Sequence, residues 1–333
     1  MAIKVAINGF GRIGRLVFRQ IHGSPDFEVV AINDVAHPKI LAHLLKYDSA
    51  HGQYKNDLTY TEKAIVADGS TIPVYSERDP LNLPWKLHSA DVILECTGFF
   101  ASKKASAAHI EAGAKKVVIS APAGSDMPTI VYGVNEKSLT PTDRIISTAS
   151  CTTNCLAPMA DALNKLSPIL KGYMTTIHAY TNDQNTLDGP HPKGDLRRAR
   201  AAAGNIIPQP TGAAKAIGLV IPSLSGKLDG AAQRAPVITG SVTELVAVVT
   251  GTITEKQVNE AMKSASSDSF GYTDEEIVSS DVIGCSFGSL FDATQTRATN
   301  MDDKTLVKIA AWYDNESSYV SQMVRTIKYF GKL

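Results

Sequence analysis

Over roughly the first 150 positions, hydrophobic residues recur in short runs separated by stretches of helical spacing, the pattern of parallel β-strands joined by crossover helices. Ile3 to Asn8 predicts a first strand. Ile13, Leu16, Val17 and Ile21 then share one helix face until Gly23-Ser24-Pro25 stops it, and Phe27 to Asn33 predicts a second strand. Asp91 to Cys96, Lys116 to Ser120 and Arg144 to Ser147 continue the series, with a helix from Lys103 to Ala112 between the first two. Residues 1–150 are therefore expected to form a doubly wound parallel sheet.

The rhythm changes after residue 150. Cys151 to Leu166 reads as a helix, and longer β-rich runs follow at Gly172 to Tyr180, Leu228 to Val237, Ser241 to Gly251 and Leu306 to Asp314. Residues 151–316 are thus expected to be an α+β domain with a mainly antiparallel or mixed sheet. Ser318 to Phe330 sets Val320, Met323, Val324 and Ile327 on one face, so 317–333 should be a closing helix, expected to pack back on the first domain. Thr181 to Gly212 is polar, rich in Gly, Pro and Arg, and too long for a routine connection. A functional or interface role is the expectation.

Composition narrows the class. A chain of 333 residues exceeds the usual size of one hydrophobic core, which agrees with two domains. Lys plus Arg and Asp plus Glu balance at 33 each, so no net field favours a nucleic-acid or membrane partner and any anion selectivity must be local. No run approaches the about 18 apolar residues that span a bilayer, and Met1 to Phe10, with Lys4 inside a strand-like run, lacks the features of a signal peptide. A cytoplasmic protein is expected. The four cysteines, Cys96, Cys151, Cys155 and Cys285, have neither disulfide-framework density nor C-x-x-C zinc spacing. Free thiols and no metal site are expected.

Gly9-Phe10-Gly11-Arg12-Ile13-Gly14 lies between a predicted strand and helix, and Asp34 closes the next strand. This is the dinucleotide fingerprint in its required context. Glycines let the backbone approach a pyrophosphate at a helix N-terminus, and the acidic residue accepts from ribose hydroxyls while repelling a 2′-phosphate. NAD is the cofactor expected of this Rossmann arrangement. Further on, Ser147 to Cys155 places Cys151 where strand gives way to helix, a position where the helix terminus and a nearby imidazolium favour thiolate and lower the pKa toward neutrality. Buried packing is the alternative for Cys151, and the expected role for Cys155, one turn deeper. His178 ends a strand-like run and is the best base candidate, with a hydrogen-bonded core histidine as the competing reading.

Asn8-Gly9-Phe10-Gly11-Arg12-Ile13-Gly14-Arg15, Ser150-Cys151-Thr152-Thr153-Asn154-Cys155-Leu156-Ala157-Pro158 and His178-Ala179-Tyr180-Thr181 together closely resemble the glyceraldehyde-3-phosphate dehydrogenase family. The likeness extends to Asp195 to Arg200, Thr211 to Ala216 and Trp312 to Glu316, and so over essentially the whole chain. It implies phosphorylating, NAD-dependent oxidation of glyceraldehyde 3-phosphate, with Cys151 as nucleophile and His178 as base. It also implies a substrate-phosphate site from Thr181 and Arg234, an inorganic-phosphate site from Ser150, Thr152, Thr211 and Gly212, and Arg198 close to both. For the cofactor it points to Arg12, Ile13, Asp34, Arg78, Ser120, Asn315 and Tyr319 beside Gly9, Gly11 and Gly14, and for assembly to a homotetramer. Two departures stand out: Ser317-Ser318 where the family often has Trp-Gly, and Ile238-Thr239-Gly240 where it has Pro-Thr-Gly. Competing readings are an erythrose-4-phosphate dehydrogenase and, in another class, an NAD-binding interaction or RNA-associated protein.

Overall fold

The computed structural model describes all 333 residues. Its contacts divide the chain into two compact units, Met1–Ala149 with Met323–Leu333, and Ser150–Gln322. In the first unit the elements run β1 (Ile3–Asn8), α1 (Arg12–Ile21), β2 (Phe27–Asn33), α2 (Pro38–Lys46), β3 (Leu58–Thr61), β4 (Ala64–Ala67), β5 (Ser70–Tyr75), β6 (Val92–Glu95), α3 (Lys103–Glu111), β7 (Lys116–Ile119) and β8 (Ile145–Ser147). The sheet order is β3-β4-β5-β2-β1-β6-β7-β8, with every pairing from β5 to β8 parallel. Burial explains it. β1 and β6 are almost entirely inaccessible on both faces, as strands covered by helices on each side must be. Leu16, Val17, Phe18 and Ile21 supply the buried stripe of α1, each side chain contributing about 1.5–3 kcal/mol of burial. Strand order reverses at β1, which has β2 on one side and β6 on the other, so a crevice opens at their carboxyl ends, the position where open α/β sheets bind ligands.

Residues 38–75 hold two features that hydrophobic periodicity misses, α2 and the antiparallel meander β3-β4-β5. β3 spans four residues, three of them exposed, and so has no apolar face to read. Its neighbour does carry a local signal: Asp68 and Gly69, at φ 49° and 75°, form the Asp-Gly hairpin joining β4 to β5. The last turns of the closing helix belong to this unit. Lys116 Nζ donates to the Phe330 carbonyl at 2.6 Å and Lys328 pairs with Asp26.

The second unit contains α4 (Cys151–Leu166), β9 (Ile169–Ala179), β10 (Ile207–Pro210), α5 (Ala213–Val220), β11 (Leu228–Ala235), β12 (Ser241–Thr250), α6 (Glu255–Ser264), β13 (Phe270–Thr273), β14 (Ser289–Asp292), β15 (Arg297–Met301), β16 (Lys304–Tyr313) and the start of α7 (Ser317–Lys332). Its sheet runs β10-β11-β9-β12-β16-β14-β13, with β15 also on β16, and is mixed: β9 pairs parallel with β11 and antiparallel with β12. The α/β class with a parallel sheet and a second, mixed sheet is as expected from the sequence. The polar segment after β9 has little regular structure but is internally tied, through Asn185 N to Arg198 O, Gly189 N to Ala199 O and the Arg200–Asp188 ion pair.

Candidate active site

Cys151 is the first residue of α4, and Ser150 caps that helix by accepting from Thr153 N at 3.0 Å. Ala149, just before the cap, is a non-glycine residue at φ 57°, so the chain enters the helix through a costly turn. His178 sits near the end of β9, in register with Arg234 on β11. These placements bring Cys151 Sγ to 3.3 Å from His178 Nε2. On the other ring nitrogen, Nδ1 lies 2.6 Å from the Ala179 carbonyl and 3.0 Å from Arg234 Nη1. Only one of these is a hydrogen bond from the ring, and the shorter contact assigns the hydrogen to Nδ1. Nε2 is then left as an acceptor facing the sulfur, the tautomer a base requires.

Burial and the Arg234 charge pull His178 down to about 3, against the pull of the Ala179 carbonyl. It is an uncharged imidazole throughout the neutral range. Burial likewise pushes the Cys151 thiol up, opposed by Arg234 and by hydrogen bonds at the helix start. For the isolated thiol this reverses the expectation of a pKa near neutrality, because the sequence does not reveal how completely the sulfur is enclosed. The two groups nevertheless act as a pair: moving the proton from sulfur to Nε2 leaves net charge unchanged and creates opposite charges in contact. Cys155 is wholly buried, with its sulfur 3.5 Å from the Ala311 carbonyl, and burial pushes its thiol up to about 12. Tyr313 supports the pair, its hydroxyl meeting Thr152 Oγ1 at 3.0 Å and Thr176 Oγ1 at 2.7 Å.

Several expected anion-binding residues adjoin this pair. Arg234 Nη1 donates to Thr181 Oγ1 at 3.2 Å, and Thr181 donates to Asp183 at 2.6 Å. Arg198 joins them through Asp183 at 2.9 Å, while its other arm pairs with Asp195. Asp183 thus accepts from both Thr181 and Arg198. Burial alone would raise its carboxyl, yet Thr181, Arg234 and Arg198 hold it below the usual range. Sequence reasoning passed over Asp183, Tyr313 and Thr176. Thr211 and Gly212 open α5, where Thr211 Oγ1 accepts from Ala213 N and Gly212 offers no side-chain cap.

In the first unit, a cleft of about 480 Å³ is lined by Gly9, Gly11, Asp34, Arg78 and Thr97 among others. Gly9 has φ 93°, and a Cβ there would lie 2.7 Å from Thr97 N, whereas one at Gly14 would lie 2.2 Å from the Gly9 carbonyl. Both are glycines for the chain's own packing. A Cβ at Gly11 would meet nothing, so that residue leaves room for something the chain does not supply. Gly11 is also the N-cap of α1 and offers no side-chain cap to the helix terminus. Asp34 is held facing the cleft by Phe10 N at 2.8 Å and Ala36 N at 2.9 Å. These features fit a dinucleotide with its pyrophosphate over Gly11. Arg12, by contrast, directs its guanidinium to Asp48 at 2.5 Å and to His51. Burial alone would raise the Asp48 carboxyl, but hydrogen bonds from His51 and Arg12 hold it well below its usual range. Ile13 follows in the first turn of α1, and Ser120 follows β7 with its N–H on the Glu95 carbonyl.

Comparison with known proteins decides the family. The model of the glyceraldehyde 3-phosphate dehydrogenase NAD binding domain matches residues 3–103, and that of the C-terminal domain matches residues 150–315. A glyceraldehyde-3-phosphate dehydrogenase of Clostridium pasteurianum is 61% identical over 330 residues, 99% of each chain. One of Streptococcus pyogenes is 58% identical over 334 residues, covering 100% of this chain and 99% of its own. The chain belongs to the glyceraldehyde-3-phosphate dehydrogenase family.

Membership makes it an NAD-dependent oxidoreductase, and the Ser317-Ser318 departure from the family pattern acquires a local explanation. Ser318 Oγ accepts from Asp314 N at 3.0 Å and donates to the Cys285 carbonyl, so the Ser-Ser pair holds the start of α7 by hydrogen bonds. Thr239 donates to Asp314 at 2.7 Å and Ser241 donates to Asn315 Oδ1 at 3.1 Å, orienting the Asn315 amide with Oδ1 engaged. Tyr319 is buried one helical turn on.

The glycines allow a clean separation of packing from cofactor binding in this family member. Gly11→Ala introduces no clash, and Gly11 has φ −71°, which alanine adopts readily. The expected result is a melting temperature within about 2 °C of the parent, with NAD affinity lowered by about tenfold or more as the new methyl meets the pyrophosphate. Calorimetric titration with NAD beside a thermal melt checks both.

Proposed function

We propose that this chain carries out the phosphorylating oxidation of glyceraldehyde 3-phosphate to 1,3-bisphosphoglycerate in glycolysis, with NAD and inorganic phosphate. The first unit serves as the NAD-binding domain and the second as the catalytic domain. The observation that carries the reading is the Cys151 sulfur at 3.3 Å from an acceptor Nε2 of His178 at a helix N-terminus.

Cys151 adds to the aldehyde carbon, its thiol proton passing to His178 and from there to the carbonyl oxygen as the C–S bond forms, so that a hemithioacetal results. His178, neutral again, next removes that hydroxyl proton, so that the C–H pair of electrons leaves without producing a protonated carbonyl. Bound NAD supplies the acceptor for that hydride. The Cys151 N–H at the start of α4 and the protonated His178 stabilise the developing oxyanion. Phosphate oxygen then attacks the resulting thioester, the C–S bond breaks toward sulfur, and the acyl phosphate departs. Thr181 and Arg234 hold the substrate phosphate; Ser150, Thr152, Thr211 and Gly212 hold the attacking phosphate, with Arg198 near both. Arg supplies a planar fork and the hydroxyls directional donors, a set suited to tetrahedral oxyanions. Gly9, Gly11, Gly14 and Ile13 would receive the pyrophosphate of NAD, Asp34 the ribose and Arg78 the adenine side, with Arg12 and Ser120 in support. Asn315 would address the nicotinamide amide, with Tyr319 nearby.

Steady-state NADH production tests the reading. Activity on glyceraldehyde 3-phosphate should require phosphate and exceed that on erythrose 4-phosphate; activity indifferent to phosphate would contradict it. Four cysteines that form no disulfide fit a cytoplasmic location. Leu187, Leu196 and Ile206 are 75%, 85% and 70% exposed on the polar segment, which supports its burial against other copies in a homotetramer.

A further inference from the structure

Beneath the cleft of the first unit lies a buried polar chain that none of the roles above uses. Asn33, Asn8 and Glu95 are the last residues of β2, β1 and β6, three adjacent strands whose carboxyl ends floor the crevice. Asn33 Nδ2 donates to Asn8 Oδ1 at 2.7 Å, and Asn8 Nδ2 donates to Glu95 Oε2 at 2.5 Å. From the other side, Trp85 Nε1 donates to His109 Nδ1 at 3.0 Å. An indole nitrogen is only a donor, so His109 carries its hydrogen on Nε2, which lies 3.1 Å from Glu95 Oε2. The remaining oxygen, Oε1, accepts from Thr97 N at 2.7 Å and from the Thr97 hydroxyl. Asn8, Asn33, Glu95, His109 and Trp85 are all buried.

Apart from the Asn33 bond to the Glu77 carbonyl, the donors of this chain point toward Glu95. Its carboxylate receives the Asn8 amide, the His109 Nε2–H and both Thr97 donors, and so orients the Asn8 amide at the centre of the chain. Asn8 and Asn33 line the cleft themselves, and Glu95 directly precedes the lining residues Cys96 and Thr97. Glu77, beside Arg78, is tied in by reciprocal bonds with Asn33, both at 2.9 Å. The Thr97 N–H held by Glu95 is the group that a Cβ at Gly9 would strike.

We propose that Glu95 is a positioning residue for the dinucleotide, setting the separation of the glycine loop, Asp34, Arg78 and Thr97 through this directed chain without touching the reacting atoms. The inference rests on the NAD site assigned above. Removing the carboxylate's polarity at constant shape should loosen the cofactor and leave the chemistry alone.

Glu95→Gln does this, because whichever way the new amide turns, its NH₂ faces donors that had been accepted. Calorimetry is expected to show NAD affinity lowered by about tenfold or more, with KM for NAD raised in step and kcat at saturating NAD within about threefold. Adding Asn8→Asp restores a consistent direction. The carboxylate introduced at position 8 accepts from Asn33, from the amide introduced at position 95, and from His109 Nε2, which lies 3.4 Å from the present Asn8 Nδ2. The double variant should regain NAD affinity to within about threefold of the parent. A folded Glu95→Gln variant with parental NAD affinity, or a folded double variant no better than the single, overturns the proposal. Should Glu95→Gln not fold, Glu95→Asp keeps the charge and draws the carboxylate back from its donors; weakened NAD binding there supports the proposal and parental binding overturns it. Failure of the unsubstituted protein to bind NAD would instead overturn the cofactor site itself.

Discussion

Replacing Cys151 with alanine lowers NADH formation from glyceraldehyde 3-phosphate by at least about 10⁴-fold, with NAD affinity within about twofold of the parent. The loss is this large because the sulfur is a bond partner: without it there is no hemithioacetal to give up hydride and no thioester for phosphate to open. NAD binding survives because Gly9, Gly11 and Asp34 are held by bonds and contacts within the first unit. Cys155 does not take over. Its sulfur is fully buried against the Ala311 carbonyl and it is one turn deeper in α4. Residual rate, measured by absorbance with and without prior alkylation, distinguishes true loss from contamination by unsubstituted protein.

His178→Asn is expected to lower kcat by about 10²–10⁴-fold, the range for a well-placed general base. Asparagine keeps a polar side chain between the Ala179 carbonyl and Tyr313 and removes the imidazole nitrogen that faces the sulfur. The same substitution should slow alkylation of Cys151 at neutral pH, since the thiol loses the partner to which its proton moves while burial still opposes an unpaired thiolate. The sign follows from the shifts. His178, pulled down to about 3, is uncharged and able to accept a proton at neutral pH, so its removal costs a base that is present, not a cation. Iodoacetamide labelling against pH, parent beside variant, reads this directly; equal labelling rates would remove His178 from the role.

Much of this was legible before any coordinates. β1 and β2 coincide with the runs Ile3 to Asn8 and Phe27 to Asn33, and α4 with Cys151 to Leu166, because continuous apolar runs and sharp stops mark strands and helices buried on most sides. The meander at β3-β4-β5 was not read, since its strands are short and half exposed, although Asp68-Gly69 marks its hairpin. At the site, Cys151 and His178 were singled out by position in strand and helix, but the resemblance to a family turned candidates into assigned roles. The supporting residues were harder. Tyr313 lies 161 residues from Thr152, and Glu95 lies 87 from Asn8, so neither bond leaves a local trace in the chain. Arg12 shows the converse limit: it sits inside the fingerprint, yet Asp48, 36 positions away, holds its guanidinium.

The central claim is that one sulfur forms a covalent acyl intermediate which phosphate alone releases efficiently. Rapid mixing of the NAD-loaded protein with glyceraldehyde 3-phosphate, phosphate omitted, measures it most directly. The account predicts a burst of about one NADH per chain followed by near arrest, with steady turnover resuming when phosphate is added. Continuous NADH formation at the full rate without phosphate, or no burst at all, would contradict it.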